Sequence, residues 1–348
     1  MMDTTKRRLL TAAAVGVGLG VAATAAGEAR AEWQPTKPIE FVIQTSPGGG
    51  SDQYARFWIG IVEKYNLSPQ PIIPVNKPGG AGAVALTYLY EKSGDPHFIS
   101  PTLNSIITTP LLQEIPVMYP SEDLTPVVKM MMDPFLLVVN PEKFTSAEEF
   151  MAACREDRLT AVGTGSKQED EIQINMLQHA MGCQPFRYVP ASGGGDVAAQ
   201  VAGGHADFNV NQPSEMLPHY PERLIPIMSV QQERPEQFPE AVTHREAGLN
   251  GEWAELLDIE TGLHQMRGIM AAPEIPAEAV AWYEQLFRQV FDAPEWQDFM
   301  KQGAMTPAFM ESGAYKEFMR RFEDNHVKVM RDVIGWELRG DLRERQGS

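Results

Sequence analysis

Gln44-Thr45-Ser46-Pro47-Gly48-Gly49-Gly50-Ser51-Asp52 joins a strand to a helix through three glycines and a ring of polar atoms. Before it, Ile39, Phe41 and Ile43 alternate as on a strand. After it, Tyr54, Phe57, Trp58, Ile61, Val62 and Tyr65 recur at the spacing of a buried helical face. Glycines at such a junction let backbone approach a ligand. The free N–H groups of the first helical turn, with the helix dipole behind them, favour a negative charge. The stretch therefore reads as an anion cradle, or else as a tight turn in which Ser51 or Asp52 caps the helix.

The same pattern recurs along the chain. Leu159 to Val162 reads as a strand running into Gly163-Thr164-Gly165-Ser166, with a helix from about Glu169 to Met181. Tyr188-Val189-Pro190-Ala191-Ser192-Gly193-Gly194-Gly195-Asp196 leads into a helix over Val197 to Ala202. Strands are also expected at Pro71 to Val75, Phe98 to Thr102 and Phe135 to Val139, and helices at Ala83 to Glu91 and Ser146 to Cys154. Alternating strands and helices point to an α/β protein with largely parallel sheets. Ligands of such sheets gather at the carboxyl ends of strands, where these loops would converge.

At the N-terminus Lys6, Arg7 and Arg8 precede an Ala-, Gly-, Leu- and Val-rich run from Leu9 to about Ala26, and Ala29-Arg30-Ala31 offers a small-x-small cleavage site. Residues 1–31 read as an export signal of the Sec or twin-arginine type, placing the mature chain in a bacterial periplasm. Gly16, Gly18 and Gly20 mimic part of a dinucleotide fingerprint, but no strand precedes them. Removing residues 1–31 takes four basic and two acidic side chains from a chain of net charge −17, leaving about −19. Such acidity argues against nucleic acid or anionic membrane as a partner, yet a few backbone N–H groups can still hold a carboxylate locally. The 348-residue length suggests two domains beyond the signal. Cys154 and Cys183 cannot form a four-ligand metal site by themselves; they either pair or remain two buried thiols. Neither metal nor cofactor is expected.

From about Trp33 to Phe318 the chain resembles the periplasmic substrate-binding proteins of tripartite tricarboxylate transporters, the Bug or TctC-like family. The resemblance is carried by Ser46-Pro47-Gly48-Gly49-Gly50-Ser51-Asp52 with Ala55-Arg56, by Asn76-Lys77-Pro78-Gly79-Gly80-Ala81-Gly82, by Pro190-Ala191-Ser192-Gly193-Gly194-Gly195, by Gly203-Gly204-His205-Ala206-Asp207, by Pro273-Glu274-Ile275-Pro276, and by their order. It implies a type II Venus-flytrap receptor of two lobes, each a mainly parallel sheet flanked by helices. Such a receptor closes, as a monomer, on a small organic carboxylate and hands it to the small and large membrane subunits of a transporter. A sensor presenting the ligand to a signalling receptor is the alternative.

The implied lobes are 32–135 with 236–348, and 136–235 between them. Leu224 to Val230 would be the strand crossing back, and Gln231 to Pro239 the connection. Helices over Ala277 to Phe291 and Ser312 to Ile334 would pack on the first lobe, with Val280, Tyr283, Leu286, Phe287 and Val290 inward. The implied ligand residues are Ser46, Gly48, Gly49, Gly50, Ser51, Asp52, Asn104 and Ser105 on the first lobe. On the second they are Thr164, Gly165, Ser166, Ser192, Gly193, Gly194 and Asp207. Asn209, Asn211 and Gln212 are softer candidates, and Arg56 reads as structural. The chain departs from the family pattern at Ala191-Ser192 and at Thr261-Gly262-Leu263-His264-Gln265-Met266-Arg267-Gly268. There Arg267 or His264 either meets a second carboxylate or is a surface or strand-end residue.

Catalysis is the competing class, but it has little support. There is no His-Glu-x-x-His pair and no cysteine at a nucleophile elbow, and Gly163-Thr164-Gly165-Ser166 lacks the glycine two residues after its serine.

Overall fold

The computed structural model describes residues 33–47, 50–257 and 263–342. The expected export signal with its cut after Ala31, and Gly48 and Gly49 of the cradle, lie outside the described residues. From Trp33 onward the chain clusters into one compact unit built on two six-stranded sheets.

In chain order, β1 (Ile39–Ile43), β2 (Ile72–Asn76), β3 (Phe98–Pro101) and β4 (Thr125–Asp133) enter the first sheet. The second takes β5 (Leu136–Val139), β6 (Thr160–Thr164), β7 (Arg187–Ala191), β8 (Phe208–Asn211), β9 (Ile225–Ser229) and β10 (Val242–Thr243). The chain then returns to the first with β11 (Gln265–Ala271) and β12 (Thr306–Glu311). The spatial orders are β12-β4-β11-β3-β1-β2 and β10-β9-β5-β8-β6-β7.

Both sheets are mixed rather than mainly parallel. β11 runs antiparallel to β3 and β4, and β12 antiparallel to β4, while β5 opposes both β8 and β9. The cause in the second sheet is the first crossing: β4 passes through Pro134 and Phe135 straight into β5, with no helix to turn the chain round. The remaining pairs, β1 with β2 and β3, β6 with β7 and β8, and β9 with β10, are parallel. The return crossing also differs from expectation. Gln231 to Pro239 stays with the second sheet, because β10 beyond it pairs with β9, and the chain goes back only between β10 and β11.

Packing follows the sequence pattern closely. All four residues of β5 are buried; Leu137 and Val139 enter the large core while Leu136 and Val138 face a smaller one beneath the helix Gly194–Ala202. That is the two-sided burial of a central strand. The helix Gly50–Lys64 buries Tyr54, Trp58, Ile61 and Val62, with Trp58 stacked on Phe41 and edge-on to Trp296. Fully burying such side chains contributes about 1.5–3 kcal/mol each. Tyr65 falls off this stripe, 44% exposed, since the helix ends at Lys64. The helix Ala277–Asp292 turns Tyr283, Leu286, Phe287 and Val290 inward, with Val280 only partly covered. The helix expected over Ser312 to Ile334 is α-helical over Ser312–Lys328 and widens to a π-turn at Val329–Val333. Ser146 caps the helix Ala147–Glu156 by accepting from the Glu149 amide. Cys154 on that helix is disulfide-bonded to Cys183, just past the helix Glu169–Met181.

Candidate solute-binding cleft

Strand direction brings one set of ends together. The chain leaves β1, β3 and β4 at Gln44, Thr102 and Asp133, and β11 begins beside them at Gln265. The loops after β6, β7 and β8 belong to the neighbouring end of the second sheet, next to the start of β5. Two hydrogen bonds join the two sets. Thr108 Oγ1 donates to Gln168 Oε1 at 3.4 Å, and Gln173 Nε2 donates to the Leu263 carbonyl.

On the first-sheet side the loop after β1 is braced from behind. Asn76 Nδ2 donates to the Thr45 carbonyl and to Asp52 Oδ1, both at 2.9 Å, and Arg56 Nε donates to Asp52 Oδ2 at 2.9 Å. Asp52 and Arg56 are thus engaged with each other, as expected for Arg56, and Asp52 is a brace. Ser46 and Gly50 are exposed at the loop surface, while Ser51 is buried with no partner for its hydroxyl. Thr45 Oγ1 is likewise unpaired. Beside Gly50 lies Arg267: a Cβ added at Gly50 would stand 3.8 Å from Arg267 Nη2.

Arg267 is 5% exposed and Asp133 fully buried. Arg267 Nη2 donates to Asp133 Oδ2 at 3.2 Å, the Tyr54 hydroxyl donates to the same oxygen at 3.0 Å, and the guanidinium lies over the Tyr54 ring. Burial raises the Asp133 carboxyl despite its cationic neighbour, and burial with the Asp133 charge raises the Tyr54 hydroxyl. Arg267 Nε and Asp133 Oδ1 remain without partners. A buried charged pair with one donor and one acceptor unmet is costly unless something else satisfies them.

The second-sheet side carries three more carboxyls. Burial pushes Glu169 up to about 7, Asp170 to about 6 and Glu215 to about 8; in Glu215 the charges of Asp170 and Asp133 add to burial. Asp170 Oδ2 accepts from the Thr164 amide at 2.7 Å. Asp196 Oδ2 accepts from both the amide and the hydroxyl of Ser192, at 3.2 and 3.1 Å. The Gly165 amide donates to the Ala191 carbonyl at 3.0 Å. Glu215 sits on Gly194, where any side chain would overlap its carboxyl. The loop donors expected to cradle an anion on this side at Thr164, Gly165 and Ser192 are thus engaged by the chain itself. Ser166 is exposed, and Gly193 has open space around it.

Two expected site residues lie elsewhere in role or place. Asp207 precedes β8, and its carboxylate accepts from the Thr160 amide at 2.6 Å and pairs with Lys143. Because β8 and β6 are parallel, this is the end of the sheet remote from Thr164 and the cleft. Asn104 is at the right end but fully buried. Its Oδ1 accepts from the Met266 amide at 3.1 Å and its Nδ2 donates to the His264 carbonyl at 3.0 Å, tying the β3 loop to β11. His264 is buried with Nε2 2.6 Å from the Leu257 carbonyl. Among the softer candidates, Asn211 Oδ1 accepts from the Gln212 amide at 2.9 Å, and buried Asn209 has neither amide atom paired.

The motif reading undervalued Arg267 and missed Asp133, Tyr54, Glu169, Asp170 and Glu215. One signal was available: Asp133 and Arg267 are charges on strands that are mostly apolar, as is Lys129 on β4, and a charge there must find a partner.

The model of the tripartite tricarboxylate transporter family receptor matches residues 62–334. The chain belongs to this family. A relative from Cupriavidus necator, the UPF0065 protein in the gbd 5′ region, is 24% identical over 312 residues, 88% of this chain and 90% of its own length. MatC from Rhodopseudomonas palustris, solved with bound malate, superposes with TM-score 0.69 at 20% identity over 85% of this chain and 99% of its own. A second R. palustris protein, solved with adipate, gives TM-score 0.72 at 18% identity over 86% and 98%. The structural matches show the two-lobed fold of periplasmic binding proteins, and the family is one of solute receptors. Among the described residues no helix is long and apolar enough to cross a membrane, and no group of three or more His, Cys, Asp or Glu is placed to hold a metal ion.

Proposed function

We propose that this chain is a periplasmic receptor that binds a small organic carboxylate between its two sheets, without altering it, and delivers it to the membrane subunits of a tripartite tricarboxylate-type transporter. The observation that carries the reading is the unmet donor set beside the first cradle: Ser51 Oγ and Arg267 Nε, buried next to exposed Gly50. A carboxylate seated there would meet a guanidinium and a helix start together. Family membership and the malate and adipate held by two structures of this fold support the same ligand class. With the cleft lined by loops of both sheets, closure is the expected response, the part built on the first sheet moving against the part that carries β5 to β10.

A thermal-shift screen of mono-, di- and tricarboxylates tests it. A ligand at about 100 times Kd should stabilise the fold by about 2.7 kcal/mol, and the ligand should be recovered unchanged. A broad screen in which sugars or metals shift the melting curve and no carboxylate does would overturn the reading, as would turnover of the bound acid.

A further inference from the structure

The last stretch of the chain reaches from one lobe to the other and back. The helix Ser312–Lys328 packs on β4 of the first sheet, and the turn Val329–Val333 that follows lies against the helix Glu169–Met181 of the second lobe. Trp336 then stands beside Lys167, whose ammonium lies over the indole ring, 5.9 Å from its centroid. Arg339 ties the chain to the first lobe again. Its amide donates to the Leu111 carbonyl at 2.9 Å, and its Nη1 donates to the carbonyls of Pro110, Ile115 and Val117 at 3.2, 3.4 and 3.3 Å. Asp341 holds the same guanidinium, accepting from Nε at 2.6 Å and from Nη2 at 2.8 Å, and the Arg339 side chain is only 6% exposed. A planar fork with partners on all three nitrogens fixes the tail against the helix Ser105–Leu112 and the loop after it.

These anchors converge on one small piece of the second lobe. The helix that Arg339 holds at its C-terminal end carries Thr108, which meets Gln168, and Trp336 meets Lys167, the residue before it. Lys167 and Gln168 belong to the loop after β6, at the cleft end of the second sheet, so widening the cleft there parts both contacts together. The two attachments differ in strength. On the first lobe the tail is held by a web of hydrogen bonds around a buried guanidinium. On the second it offers a ring face to an exposed ammonium, next to a hydrogen bond of 3.4 Å, and such contacts separate at little cost.

We infer that residues 335–342 form a latch on the cleft: fixed to the first lobe through Arg339 and releasable from the second at Lys167, they bias the receptor towards its closed form. Such a latch works whatever solute the cleft holds.

Small-angle scattering of the unliganded protein, fitted as a mixture of open and closed forms, tests it beside melting curves. Lys167→Met keeps the length of the side chain and removes its charge, and should raise the open-to-closed ratio about two- to fivefold. Trp336→Ala removes the ring and its packing and should raise the ratio further, with a larger radius of gyration. Arg339→Lys keeps a cation but cannot serve the three carbonyls and Asp341 together; it should lower the melting temperature and open the cleft as Trp336→Ala does. If Trp336→Ala fails to fold, the exposed Lys167 carries the test. A larger radius in Trp336→Ala with none in Lys167→Met would mark a frayed tail and overturn the latch. So would an unchanged ratio in all three variants with only the melting temperature lowered in Arg339→Lys, since the tail would then be a brace of the first lobe. Neither of these results touches the carboxylate screen, which judges the receptor reading separately.

Discussion

The loops after β1 and β7 have the same grammar, strand then glycines then helix, and opposite circumstances. After β1 the polar side chains that brace the loop stand behind it, Asn76 and Arg56 on Asp52, and Ser51 Oγ is left unmet beside Arg267. After β7 the chain fills its own cradle: Asp196 takes the Ser192 amide and hydroxyl, and Glu215 lies on Gly194. A glycine-rich helix start is an anion site only when the protein does not supply the anion itself. The first loop is open to a ligand's negative charge, and the second already has one.

The sharpest way to break this comparison is at Arg267. Arg267→Met removes the cation from the open side and leaves Asp133 buried without its ion pair, which should lower stability by about 3–5 kcal/mol and abolish carboxylate binding. In the double variant with Asp133→Asn, stability should largely return while binding stays lost. Chemical denaturation beside titration calorimetry separates the two effects. If the double variant regains affinity, Arg267 is a structural cation and the open side has no charge partner for the ligand.

A smaller effect sharpens the other half. Gly194→Ala puts a methyl group where the Glu215 carboxyl lies, whereas Gly193 and Gly195 have nothing within 4 Å of an added Cβ. Gly194→Ala should cost about 1–2 kcal/mol, and Glu215→Ala in the same chain should relieve it. Gly195→Ala, inside the helix Gly194–Ala202, should stabilise by about 0.5–1 kcal/mol. Equal melting temperatures for the two single variants would mean that Glu215 is not held on Gly194 in solution.

Much of this molecule was legible in the sequence, for physical reasons that can be named. The helix Glu169–Met181 and the buried strand at Leu136–Val139 follow from periodicity and from runs too apolar for any surface. The mixed sheets were not legible, because strand direction depends on whether a connection turns round, and the short Pro134-Phe135 link into β5 carries no signal of that. At the site, motifs located the right loops but not which donors remain open. That depends on Asp170, Asp196 and Glu215, whose carboxyls fold back from four to many residues away. Asp207 shows the converse: proximity in a motif placed it with the site, and parallel pairing of β8 with β6 put it at the far end of the sheet.

The subtlest test is Ser51→Ala. Ser51 is 2% exposed and its hydroxyl is buried and unpaired, so the free protein keeps a desolvated polar group that gives nothing back. Removing it should leave the unliganded melting temperature unchanged or slightly raised, because Ala also suits the first turn of the helix Gly50–Lys64 better than Ser. If the hydroxyl donates to the bound carboxylate, affinity should fall by roughly three- to tenfold, the worth of one net hydrogen bond of about 0.5–1.5 kcal/mol. Asp52→Ala makes the contrasting control, since Asp52 holds Asn76 and Arg56 and its loss should lower the melting temperature with or without ligand. Parental affinity in Ser51→Ala would show that the unmet hydroxyl is a packing defect of the helix start, and the open loop would then rest on Arg267 and backbone amides alone.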